Sequence, residues 1–224
     1  MTVPYSVTPQ GMKEQLVAAL TDLDNSNRRF WVGDIWAAAK FLTLLTDRAI
    51  TEEVKGAKTG QNYLKDVTRD LVKRGQYIAY RTPLTEFPVI QRISRRKKER
   101  VHTPIGHIVI RSPAEGLDTL KMSNGIAPNF IHSLDAALLA TTVLKLADAG
   151  CEDFHMIHDS YGVPIGHIDN LNKFVRETFV ELFEGHPLKR FVDTVNPSYE
   201  VTPDEVMIDT LELEDVLHSQ YIFS

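Results

Sequence analysis

Residues 155–162 read HMIHDSYG. Strand alternation sets Phe154 and Met156 on one face and His155 and Ile157 on the other. Where the alternation stops, Asp159 projects beyond a hairpin tip with His158 beside it. A carboxylate there is a hard oxygen ligand on a stiff support. It suits Mg²⁺, which takes one or two protein carboxylates together with waters and substrate phosphates. Two such ions, about 3.5–4 Å apart, stabilise both the attacking and the leaving oxygen of a phosphoryl transfer. The tripeptide alone leaves a plainer reading open, because aspartate also caps turns through its own side chain and His158 then serves as a hydrogen-bonded neighbour. Two further clusters can do chemistry. Asn129, His132, Ser133 and Ala136 share one helix face by their spacing. Residues 92–100, RISRRKKER, hold six basic residues and one acid: Arg92, Arg95, Arg96, Lys97, Lys98 and Arg100 around Glu99. Such a run is either a solvated face or a phosphate-binding strip with salt-dependent affinity.

The elements that must position these groups follow from periodicity. Apolar spacing predicts helices over 11–23 (Met12, Leu16, Ala19, Leu20, Leu23) and 30–50 (Trp31, Ile35, Ala39, Leu42, Ala49). The glycine-bearing stretch 52–62 reads as a loop, and 63–73 as a third helix stopped by Gly75. QYIAYRT, FPVIQRI and GHIVIRS are short β-rich segments, which predict hairpins with the basic run near a loop or on an exposed strand. A helix over 127–149 turns Ile131, Leu134, Leu138 and Thr142 to a core and ends at Gly150. Strands over 154–157 and 161–165 flank the HDS turn. A strongly amphipathic helix follows, with Leu171, Phe174, Val175, Thr178, Phe179, Leu182 and Phe183 on one stripe and Gly185 and Pro187 closing it. The acidic tail holds one short helix.

The chain has 224 residues and can bury a substantial core. Its one cysteine, Cys151, excludes an internal disulfide and reads as a packing residue. The N-terminus lacks the order of a signal peptide and shows no transit-like pattern. No uninterrupted apolar run approaches the roughly 20 residues of a membrane span, so no membrane partner is expected. The net charge of −5 hides an asymmetry, because residues 199–224 carry seven acids and neither Lys nor Arg. An acidic whole can thus carry a basic clamp.

SNGIAPNFIHSLDA, at 123–136, followed by HMIHDSYG, resembles the C-terminal half of the single-subunit, phage-type and mitochondrial RNA polymerases. MTVPYSVTPQG and TPLTEFPVIQR resemble two further segments of that family in the same order. The resemblance implies an α+β fold, the C-terminal fingers and palm portion of a right-hand polymerase, mostly helical with an antiparallel palm hairpin. It implies partial fingers helices over 1–75, a β-hairpin region with a basic loop over 76–121, and the palm with its catalytic hairpin and tail over 122–224. The implied function is DNA-directed RNA synthesis by two-metal nucleotidyl transfer. Asp159 matches the second of two Mg²⁺-binding catalytic aspartates, and His158 its neighbour. Tyr5 matches a fingers tyrosine beside the incoming nucleotide, and His132 a histidine at the minor groove of the nascent pair. Asn129 shares the His132 face and can meet the same groove edge. Residues 91–120 match a hairpin that in some members enters the promoter major groove. Phe223 and Ser224 resemble an ending that folds back toward the active site.

This sequence departs from the family pattern in two ways. Ser6 stands where glycine is usual, and no aspartate matches the first catalytic carboxylate, since Asp22, Asp24 and Asp34 all follow Tyr5. The expectation is a split polymerase, in which an N-terminal subunit supplies that carboxylate and the triphosphate clamp. The substrates would be template DNA, nascent RNA and nucleoside triphosphates. The expected setting is the cytoplasm of a phage-infected bacterium, with the mitochondrion second. A non-catalytic nucleic-acid-binding remnant and a truncated form of a longer polymerase stay open as alternatives.

Overall fold

The structure, a computed structural model, describes residues 9–25, 33–157, 160–199 and 212–221, with the side chain of residue 24 left out. Tyr5, His158, Asp159, Phe223, Ser224 and Trp31 therefore lie outside the described residues. The architecture is α+β. The chain forms two compact units, residues 1–63 and 64–224.

In the first unit, α1 (Pro9–Asn25) packs on α2 (Ile35–Glu53). Asp34 caps α2 by accepting from the backbone N–H of Trp36. The buried positions of α2 are Ala38, Ala39 and Thr43, whereas Leu42 and Ala49, expected in the core, are exposed. The expected loop over 52–62 is helical. Only Val54 separates α2 from α3 (Lys55–Lys73). The ammonium of Lys58 donates to Asp47 and Thr51, linking the first turn of α3 to the end of α2.

The second unit begins within α3, which buries Leu64, Val67 and Leu71 and stops at Gly75 with a positive φ of 76°. An antiparallel hairpin follows, β1 (Ile78–Arg81) with β2 (Pro88–Gln91). Next comes a long separate ribbon, β3 (Ser94–Thr103) with β4 (Gly106–Leu117). Helix α4 (Thr119–Asp148) starts two turns earlier than its spacing predicts. Asp118 caps the helix by accepting from the Lys121 N–H, and the helix continues through Pro128. By length and composition alone α4 would suit a bilayer, but it is a core element that buries Met122, Ile126, Phe130, Leu134, Leu138 and Leu146. Beyond it stand β5 (His155–Ile157), β6 (Ser160–Gly162), a 3₁₀ turn over Ile165–His167 where a longer return strand was expected, and α5 (Ile168–Glu184).

Helix α6 (Pro187–Val195) was not legible, because Gly185 and Pro187 read as a terminator. Proline is equally suited to a first helical turn, where its missing N–H costs nothing. The helix matters to the core, since Phe191 packs edge-on against Tyr80 at 4.8 Å and lies 5.1 Å from Phe130. Tyr80 donates to Ser133 Oγ at 3.0 Å, and Ser133 donates to the Phe130 carbonyl at 2.7 Å. Burial pushes the Tyr80 hydroxyl above its ordinary pKa near 10. A pKa raised on folding gives stability that is complete below the unfolded value and is lost as pH rises through the folded one. Tyr80→Phe is therefore expected to cost about 1 kcal/mol at neutral pH and to lose less stability than wild type on moving to pH above about 10. Urea unfolding at both pH values measures the difference.

The tail helix α7 (Leu213–His218) docks on α5, with Arg176 bonding across the contact. Arg176, 7% exposed, donates to the carbonyls of Val216 and Ser219, to Ser219 Oγ and to Asn172 Oδ1, all within 2.7–2.9 Å. Bonds to charged groups contribute about 1.5–3 kcal/mol. Arg176→Met is expected to release α7, read as faster amide exchange over 212–221 with the exchange of α4 unchanged.

Candidate active site and nucleic-acid interface

The HDS hairpin is short and tightly built. Its ladder pairs His155 with Gly162, Met156 with Tyr161 and Ile157 with Ser160, so His158 and Asp159 are the two residues that join the strands. The opposite strand approaches Gly162 closely: a Cβ there would stand 3.1 Å from the His155 carbonyl oxygen and 3.2 Å from its Cβ, a tight fit that glycine avoids. His155, Ile157 and Ser160 are exposed, so the ladder end beside the connection faces solvent. Cys151, just before the hairpin, is buried and donates its thiol to the Asp153 carbonyl, as expected of a packing residue. Among the described residues there is no group of three or more His, Cys, Asp or Glu that could hold a metal by itself. Mg²⁺ takes hard oxygen ligands, and the carboxylate of the connection, Asp159, lies outside the described residues.

The second part of the site lies on α4. Asn129, His132 and Ala136 are exposed together, as the spacing predicts, whereas Ser133 turns inward to Tyr80. Asn129 does not stand alone. Its Nδ2 donates to Gln91 Oε1 at 2.7 Å, and Gln91 Nε2 donates to the Met122 carbonyl at 2.7 Å. Gln91 is 3% exposed, at the end of β2. Sequence reading missed it, because a strand-terminal glutamine carries no periodic signal.

The basic run divides once the register is known. Most of it lies on β3, which is exposed along nearly all its length. Arg96, Lys98 and Arg100 share one face, with Arg111 of β4 directly across from Lys98. The same face continues to His102 and His107, whose rings meet edge-on at 4.2 Å. Lys97 lies on the other face, 3.7 Å from Glu99 and beside exposed Val101, Ile108 and Ile110. Arg95 sits in a bulge opposite 114–116, where Gly116 has a φ of 84°, and bonds the Leu117 carbonyl. Arg92 precedes the ribbon and stacks over the Tyr77 ring at 5.8 Å. Thus three of the six expected basic residues share one face, and Arg111, distant in sequence, lies on it with them. A β3 of ten residues is about 34 Å long, and a two-stranded ribbon fits the major groove of B-DNA.

The whole chain is similar to known proteins. A family model described as DNA-dependent RNA polymerase matches residues 1–221. DNA-directed RNA polymerase 3, chloroplastic, of Nicotiana sylvestris is 27% identical over 228 residues, a match covering all of this chain and 23% of that protein. DNA-directed RNA polymerase 1, mitochondrial, of the same plant is 25% identical over 229 residues, covering all of this chain and 22% of its own length. DNA-directed RNA polymerase 2A of Nicotiana tabacum is 26% identical over 230 residues, covering all of this chain and 67% of that protein. The chain thus spans about a quarter of the length of most of these relatives.

Proposed function

Since the chain belongs to the DNA-dependent RNA polymerase family, we propose that it forms the C-terminal fingers and palm portion of an enzyme that copies a DNA template into RNA from nucleoside triphosphates. The observation that carries this reading is the order of parts: an exposed Asn129–His132 face on a core helix, then an antiparallel hairpin whose connection is His158-Asp159. Asp159 is one of two metal-binding carboxylates. Its counterpart comes from outside these 224 residues, on an N-terminal partner chain or upstream on the same polypeptide. Magnesium held by the pair supplies charge stabilisation to the attacking and leaving oxygens. This chain's own residues do the positioning. Asn129 and His132 meet the minor groove of the nascent pair, Tyr5 stands beside the incoming nucleotide, and the cationic face of the ribbon holds duplex phosphates. Lys98 and Arg111 support the last role, because like charges directly across a ladder repel and an external anion offsets that cost.

The relatives' chloroplastic and mitochondrial names favour an organelle over the infected bacterial cytoplasm that the sequence suggested. The test is incorporation of labelled nucleotide on a primed RNA–DNA template with Mg²⁺, by the chain alone and with the material that co-purifies with it. Turnover is expected only in the second case. Robust turnover by the chain alone contradicts the external carboxylate, and tight template binding without turnover in either case supports a non-catalytic binding module.

A further inference from the structure

We infer that Gln91 is a positioning residue: it fixes the side-chain amide of Asn129 so that Oδ1 is presented outward as an acceptor for a hydrogen-bond donor in the minor groove. The inference rests on the reading of the outer face of α4 as a nucleic-acid contact. The chemistry of the chain of bonds leaves no choice of orientation. The Met122 carbonyl can only accept, so the group of Gln91 that meets it at 2.7 Å must be the NH₂. That places Oε1 toward Asn129, and an amide oxygen can only accept. Asn129 must therefore offer Nδ2, at 2.7 Å, and its oxygen lies on the side away from Gln91.

The relay is anchored from inside. Gln91 is nearly fully buried, and its amide lies over Gly125, where an added Cβ would stand 3.6 Å from Nε2. The neighbouring Ile93 N–H points to Met122 Sδ at 3.2 Å, so the end of β2 is held on this turn of α4 by two contacts. Rotating the Gln91 amide would set its oxygen against the Met122 carbonyl and bury an unsatisfied acceptor pair, which is costly. Asn129 itself is exposed, and Oδ1 has no partner among the described residues. An asparagine in solvent offers either end of its amide, whereas this one is committed.

Two donors occur along the minor groove of an RNA–DNA hybrid: the 2-amino group of guanine and the ribose 2′-hydroxyl. Both fit an outward acceptor, and the experiment separates them. Anisotropy titrations of the 224-residue chain would use a guanine-containing RNA–DNA hybrid, the same hybrid with inosine for guanine, and the all-DNA duplex of the same sequence. Wild type is expected to bind one of the two donor-deficient duplexes about 2- to 10-fold more weakly, the scale of one hydrogen bond. In Asn129→Ala that difference disappears, and in Gln91→Met, which keeps the volume and removes the relay, it shrinks toward unity while binding to the intact hybrid persists. A wild-type difference that survives in Asn129→Ala or in Gln91→Met overturns the inference. So does equal wild-type binding to all three duplexes. Failure to bind any of them overturns the nucleic-acid reading and this inference with it. If Gln91→Met does not fold, side-chain exchange by NMR in wild type decides: one Nδ2 proton of Asn129 should exchange slowly, and two fast ones overturn the relay.

Discussion

Asp159→Asn in the complete polymerase is expected to lower nucleotide addition about 1,000-fold, with template binding changed less than 2-fold; both figures are order-of-magnitude estimates. The amide keeps the volume of the carboxylate and removes its charge. A metal ion's stabilisation of the reacting oxygens contributes several kcal/mol, and each factor of ten in rate corresponds to about 1.4 kcal/mol. In the proposed arrangement template affinity comes from other residues, the cationic face of β3–β4 and the outer face of α4, so binding and turnover should separate. Single-turnover extension of a saturated primed template reads the first, and anisotropy of the same template reads the second. Turnover within about 10-fold of wild type would remove Asp159 from the metal site.

The second large effect is electrostatic. Neutralising Arg96, Lys98 and Arg100 together, each to Gln, removes three cations from one face of the ribbon. Each phosphate contact contributes roughly 0.9 to the slope of log affinity against log salt. Three contacts amount to about 2.7, or roughly 40-fold in affinity between 50 and 200 mM salt. The triple variant should thus bind DNA weakly at low salt and lose much of its salt sensitivity. Lys97→Gln is the internal control, since Lys97 faces the other way and is near Glu99. It should leave the slope nearly unchanged. Equal effects from Lys97 and from the triple would mean that the ribbon binds without a preferred face.

The uneven legibility of the chain has identifiable causes. Helices α4 and α5 were visible because long apolar stripes repeat at helical period, and burial of Leu134, Leu138, Val175 and Leu182 follows them. The stop at Gly75 was visible because only glycine takes that conformation without strain. Misreadings came from glycine and proline. Residues 52–62 read as a loop, the first two turns of α4 fell outside the expected helix, and α6 vanished behind Pro187. At each of these places the structure holds a contact that local propensity does not reveal: Lys58 to Asp47, Gln91 to Met122, and Phe191 in the Tyr80–Phe130 cluster.

By itself the sequence determined the kinds of groups present and their order: a carboxylate in a hairpin connection, a polar helix face before it, and a run of bases earlier still. Residue type and short-range period are local properties, so they survive without a fold. Only the tertiary structure decided which bases share a face, that Arg111 joins them from β4, and that a buried Gln91 governs the amide of Asn129. Those facts depend on strand register and on contacts between residues 13 to 38 apart in the chain, and no local pattern specifies such pairings, because they arise when separate elements are packed and their polar groups must all find partners.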